Sequence, residues 1–260
     1  MRGAWLVLGL AACGGPEKDT GETLIDTDVT DTDTGGGGDT DADEPQSLTG
    51  TLKDQDGQAV AGARVKFCNV LRCVYADSDA TGAYSFLDVP PMAYSLEPVP
   101  PDGKATVLVP LTLEPNENAN VDIVIPDLDP AKPLTGTPAE IELGSGLFVT
   151  VSTDLEAPFG LDAATEAAGV QATVLPPLEG VTGTAIASWY LDPFNYKSAT
   201  GLPFRIENQW GLAEGAELHV WVGSYDDFAW LDAGMVTVTD GFLVGAGKLP
   251  LLSTVILVQE

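Results

Sequence analysis

From Leu48 to Val258 the chain is written in short runs of alternating apolar and polar residues, each cut within a few positions by glycine, proline or an Asp-Gly pair. Alternation with period two is the signature of a strand with one buried face, and frequent turn signals leave no room for long helices. Leu48, Gly50 and Leu52 alternate with Thr49, Thr51 and Lys53, and Ala63, Val65 and Phe67 with Arg64, Lys66 and Cys68. Leu218, Val220 and Val222 face one side of a strand; Glu217, His219 and Trp221 face the other. Only Asp162–Ala168 hints at a helix. Asp54-Gln55-Asp56-Gly57, Asp79-Ala80-Thr81-Gly82 and Asp240-Gly241 read as hairpin turns, glycine supplying the positive φ. The expected fold class is all-β: two antiparallel β-sandwich domains, residues 47–130 and 131–260, parted near Ala131-Lys132-Pro133.

Ahead of the first strand the composition changes. Gly14–Gln46 holds eleven acidic residues and one lysine, Lys18, and apart from Leu24, Ile25 and Val29 it has nothing to bury. Such a segment cannot offset its ordering entropy, so a disordered acidic linker is expected. As a flexible coil it spans roughly 30 Å, and more because its charges repel. Its Asp-x-Asp repeats suggest calcium, but the register fails. Counted from Asp31, position five is Gly35 and position twelve is Ala42, where an EF-hand needs ligands. The whole chain carries 39 acidic and 11 basic groups, a net charge of −28. Nucleic acid and peripheral contact with anionic lipid are excluded as partners, because both draw on clustered Lys and Arg.

Met1-Arg2-Gly3, then the apolar run Ala4–Leu10, then Leu10-Ala11-Ala12-Cys13 follow the order of a secretory signal. The run is far below the roughly 20 residues of a spanning helix. Leu10-Ala11-Ala12-Cys13 resembles the lipobox of bacterial lipoproteins. The resemblance implies cleavage after Ala12, thioether lipidation of Cys13 and acylation of the new amino terminus. Residues 1–12 are then a signal peptide and 13–46 a lipidated stalk, with the membrane as partner through its lipid. Several acyl chains hold firmly where one binds marginally. Gly14 and Gly15, with no acidic residue, favour the outer membrane by resemblance to enterobacterial sorting.

Three linked stretches resemble the carboxypeptidase regulatory-like domain, a transthyretin-like β-sandwich. They are Gly50-Thr51-Leu52 with Asp56-Gly57, Val60-Ala61-Gly62-Ala63-Arg64-Val65, and Asp79 through Phe86 running on to Val89-Pro90. Where the usual pattern has a glycine after these prolines, this chain has Met92, so a different turn is expected before Tyr94. The resemblance implies a compact extracytoplasmic module that is not itself catalytic. The second domain resembles no named family.

Cys68 and Cys73 enclose four residues between two β-patterned segments. In an exported chain such a pair reads first as a disulfide stapling a hairpin; a metal would need further ligands, and none lie nearby. No metal and no cofactor are expected. Zinc carboxypeptidase chemistry needs several histidines, and the chain has one, His219. A Ser-His-Asp site around it lacks the Gly-x-Ser-x-Gly elbow, since Gly144-Ser145-Gly146 has the wrong spacing. The chain is therefore expected not to be an enzyme. Trp189, Trp210, Trp221 and Trp230 cluster in the second domain beside Tyr190, Phe194, Tyr196 and Tyr225. Exposed on one face, Tyr196, Trp210 and Trp221 would form a ring-stacking surface for carbohydrate; buried, they would be packing residues. The function expected is non-catalytic display of β-sandwich modules at the cell surface, for adhesion or extracytoplasmic binding of a protein or carbohydrate. A carbohydrate-binding module and an unrecognised hydrolase are the alternatives.

Overall fold

Alternation becomes structure at Ser47. The computed structural model describes residues 46–260 apart from Asp102 and Phe159; Cys13, the signal segment and the stalk up to Pro45 lie outside the described residues. The chain opens with β1 (Ser47–Asp54), β2 (Arg64–Cys68), β3 (Cys73–Asp77) and β4 (Ala83–Leu87). It continues with β5 (Ala93–Val99), β6 (Val109–Thr112), β7 (Asn118–Asn120) and β8 (Ile123–Ile125). One sheet has the order β4-β1-β7, with β8 also on β1; the other has the order β3-β2-β5-β6. Inward residues of both sheets, among them Leu48, Leu52, Val65, Phe67, Phe86, Tyr94 and Leu96, share one core. Phe67 and Tyr94 stack at its centre, ring centroids 3.9 Å apart. The pairing is antiparallel except that β1 runs parallel to β7 and β8.

The turn motifs are held by their own side chains. The Thr81 hydroxyl (2.7 Å) and then the amides of Thr81 (2.7 Å) and Ala83 (3.0 Å) donate to Asp79 Oδ1 and hold its carboxyl below the usual range. Gly50 has a different reason. Tyr84 lies opposite it, and the Tyr84 hydroxyl donates to Val121 O at 2.6 Å. A Cβ on Gly50 would stand 1.9 Å from that carbonyl oxygen. At the turn where Met92 replaces glycine, Leu113 N donates to Met92 O (3.1 Å) and the Tyr94 hydroxyl to Pro90 O (2.8 Å).

The remainder forms β9 (Lys132–Pro133), β10 (Ala139–Glu142), β11 (Leu147–Val151), β12 (Glu166–Gln171), β13 (Thr184–Asp192) and β14 (Lys197–Glu207). Then come β15 (Glu217–Ser224), β16 (Ala229–Thr239), β17 (Phe242–Val244), β18 (Lys248–Leu251) and β19 (Thr254–Gln259). These eleven strands make one continuous sheet, order β10-β11-β14-β17-β16-β15-β19-β13-β12-β9, with β18 on β14. The sheet folds over a single core containing Leu143, Trp189, Ile206, Val220 and Leu257. Register shifts in β13, β14 and β16 supply the bends, as bulges do when strands pass from one layer to the other. No helix forms at Asp162–Ala168. Ala164 is buried, and β12 takes up pairing with β13 and β9 from Glu166 onward. Phe228–Leu231 and Met235–Thr239 belong to one turn and one long strand, β16.

β13 is buried on both faces. Trp189 and Leu191 enter the second core, while Tyr190, 1% exposed, enters the first. Burial pushes the Tyr190 phenol up. Val170 and Ala172 pack beside it, Leu108 N donates to Thr254 Oγ1 (2.9 Å), and the Ser95 hydroxyl donates to Tyr225 O (3.0 Å). The two sandwiches therefore form one compact unit.

Candidate functional site

Cys68 and Cys73 stand directly opposite each other at the loop end of the β2–β3 hairpin. They are bonded, with Cα atoms 4.0 Å apart. The loop they close is braced again from within. Asn69, 8% exposed, accepts the amides of Leu71 (2.8 Å) and Arg72 (2.9 Å) on its side-chain oxygen, and its own amide donates to Arg72 O (2.9 Å). The consequence is a stiff tip on which Val70 and Leu71 are each 76% exposed. Two adjacent aliphatic side chains held outward in this way make a small exposed apolar patch.

Beside the tip runs the turn between β15 and β16. The Tyr225 hydroxyl donates to Cys68 Sγ at 2.9 Å and lies 3.5 Å from Cys73 Sγ. Burial first, then the charge of Glu97, pushes the Tyr225 phenol up to about 12, so it remains a donor. Ser224 and Asp227 exchange bonds, the hydroxyl donating at 2.6 Å. Phe228 closes the turn with φ 54°, a left-handed conformation costly for a bulky residue.

Phe228 is thereby set at the mouth of a cleft of about 510 Å³ between the two sandwiches. Pro110 and Leu111 from β6 and Phe228 and Trp230 from the second sandwich are its apolar walls; Glu114, Glu117 and Glu179 supply charge. The Glu179 carboxylate accepts Thr112 N (2.7 Å) and the Glu117 carboxylate accepts Glu114 N (2.8 Å). Among the described residues no basic side chain pairs with any of the three.

The aromatics singled out in the sequence are not brought together as one surface. Tyr196 does lie in a loop, but it is 7% exposed and its hydroxyl donates to Asp162 O (2.6 Å), so it is a packing residue. Trp210 is half-buried, edge-on to Trp189 at 6.2 Å. Trp221 is half-buried and stacks on His219 at 4.8 Å. His219 lies 2.6 Å from Asp232 and 3.5 Å from Glu260, both carboxylates; the bond from His219 is the main cause of a lowered Asp232 pKa. Among the described residues no group of three or more His, Cys, Asp or Glu is arranged to hold a metal ion. The cleft residues escaped sequence reasoning because they come from three distant segments. The tip does carry a signal, two aliphatics inside a four-residue cysteine loop, but the cysteines by themselves point only to a staple.

Comparison with solved structures returns β-rich proteins of low similarity. The Bacillus anthracis TIE protein is 10% identical with a TM-score of 0.29, over 76% of this chain and 42% of that one. The chain thus spans less than half the length of that protein. A DUF3823 family protein from Bacteroides ovatus is 12% identical with a TM-score of 0.25, over 83% and 81% of the two chains. The major pilin SpaD from Corynebacterium diphtheriae is 11% identical with a TM-score of 0.27, over 83% and 85%. No curated protein matches the chain. One family does match, over residues 47–126, the stretch built from β1 to β8 in which Gly50, Tyr84 and the Asp79 turn interlock. The family that those residues match is the carboxypeptidase regulatory-like domain.

Proposed function

We propose that the chain is a non-catalytic binding protein of the cell envelope. Cys13 anchors it by lipid at the outer membrane, residues 13–46 space it from the bilayer, and it meets its partner through the end bearing the stapled tip and the cleft. The observation that carries this reading is the tip. The Cys68–Cys73 bond and Asn69 hold Val70 and Leu71 out in water, a cost in apolar exposure that a partner surface would recover. The disulfide also supports an oxidising, extracytoplasmic compartment. Absence of catalysis is supported by His219, whose hydrogen-bond partners are two carboxylates and not a nucleophile. The test has two arms. Detergent phase partitioning of wild type and Cys13→Ser should show the variant leaving the membrane fraction. Whole cells displaying Leu71→Asp should lose attachment to surfaces that the wild type holds, and equal attachment would remove the tip from the binding reading.

Carbohydrate is the second reading, favoured by Phe228 and Trp230 with acceptor carboxylates around them in the cleft. A glycan array probed with the purified chain and with Trp230→Ala tests it.

A further inference from the structure

The tip and the cleft are complementary. The tip offers two exposed aliphatic side chains followed by Arg72, an exposed guanidinium with no ion pair among the described residues. The cleft offers apolar walls, two aromatic rings and three carboxylates with no basic partner. We infer that each is made for the other in a second copy of this chain: Val70, Leu71 and Arg72 of one copy seat in the cleft of its partner, and the reciprocal contact closes a twofold dimer. This rests on the reading of that end as the binding surface and names its partner.

Charge argues for it first. A chain with a net charge of −28 repels its own copies, so association needs a place where the contact is locally attractive. Arg72 against Glu114, Glu117 and Glu179 is such a place. A guanidinium fits carboxylates by paired hydrogen bonds and aromatic faces by cation–π attraction. Placement argues second. Cys68 pairs with Ser95, and Ser95 with Pro110, so the cleft wall lies two strands from the tip. At strand spacing that is roughly 10 Å. A knob beside its own complementary hole is what a twofold axis requires, since each copy then gives and receives the same contact. Rigidity argues third. The tip is fixed by a disulfide and three internal hydrogen bonds, so docking orders little that was free.

Light scattering on the full-length chain in excess detergent, over a wide concentration series, tests the inference. The expected result is a concentration-dependent dimer. Arg72→Glu should weaken it about tenfold or more, as should Leu71→Asp; both positions are exposed, so folding is not at stake. Glu114 is the carboxylate to reverse, because no bond to its side chain is part of the fold. Arg72→Glu combined with Glu114→Arg should recover much of the lost association. Monomer at every concentration, or a dimer indifferent to all these variants, overturns the inference. If the protein is monomeric and Leu71→Asp still abolishes cell attachment, the binding reading survives without the dimer; if attachment is unchanged too, both fall.

Discussion

The Tyr225 hydroxyl donates to Cys68 Sγ at 2.9 Å, so a side chain of the second sandwich rests on the disulfide of the first. The same turn leads into Phe228 and the cleft. The staple therefore acts in two directions: outward on the Val70–Leu71 tip and inward on the seam between the sandwiches.

Removing the disulfide as Cys68→Ser with Cys73→Ser should cost about 1–2 kcal/mol, the lower part of the usual range, because the closed loop is short. Tyr225→Phe should cost about 0.5 kcal/mol, sulfur being a weak acceptor. In the triple variant the tyrosine change should cost less than it does alone. Urea unfolding of all four proteins gives this cycle, and strict additivity would mean that the hydroxyl gains nothing from the sulfur.

Gly50→Ala should destabilise the first sandwich by at least about 2 kcal/mol. The added methyl would collide with Val121 O and the Tyr84 hydroxyl, and the colliding oxygen is backbone in a paired strand. Thermal unfolding followed by tyrosine fluorescence would report it. A variant as stable as wild type would show that β1 and the β7–β8 segment can part without loss.

Glu97 is 5% exposed, and burial raises its pKa even though Lys66 lies 3.0 Å away. The folded state therefore holds a proton at pH values where the unfolded chain has released it. The stability this contributes is complete below the ordinary carboxylate pKa and is lost as pH rises through the raised one. Glu97→Gln keeps a hydrogen-bonding partner for Lys66 and removes the charge. Near neutral pH it should match wild type within about 1 kcal/mol or exceed it, and wild type should gain on it in acid. Parallel stability curves from pH 7 to about pH 4 would count against a buried carboxylate.

Tyr190 tests the seam. Its ring belongs to the first core although its strand belongs to the second. Tyr190→Ala should cost about 3–5 kcal/mol, as for other buried aromatics, and should split one unfolding transition into two. A single transition at lower temperature would instead mean that the seam remains closed through the Leu108–Thr254 and Ser95–Tyr225 bonds.

Period-two patterning was enough to read many of the strands, because a half-buried strand prints its burial on the sequence residue by residue. Leu218, Val220 and Val222 face the core as their spacing requires. Patterning does not record how strands are joined. β18, four residues with Pro250 inside, carries too little alternation to be seen, and Gly234 breaks β16 in the sequence but only bulges it in the sheet. The Cys68–Cys73 pair was legible from its place between two β-patterned segments together with the export signal. Tyr196 was not, since a loop gives no periodicity from which to tell inward from outward. The cleft was hidden more deeply, because Pro110, Glu179 and Phe228 become neighbours only when two sandwiches close on each other.

β1 follows directly on the residues that lead back toward Cys13, and it lies between strands on both sides, antiparallel to β4 and parallel to β7 and β8. A pull on the chain ahead of Ser47 runs along that strand's axis. It must slide β1 past its neighbours with many hydrogen bonds resisting at once, where a hairpin at an edge would peel open one bond at a time. With the lipid tether proposed above, tension would enter at this strand and load those pairings together.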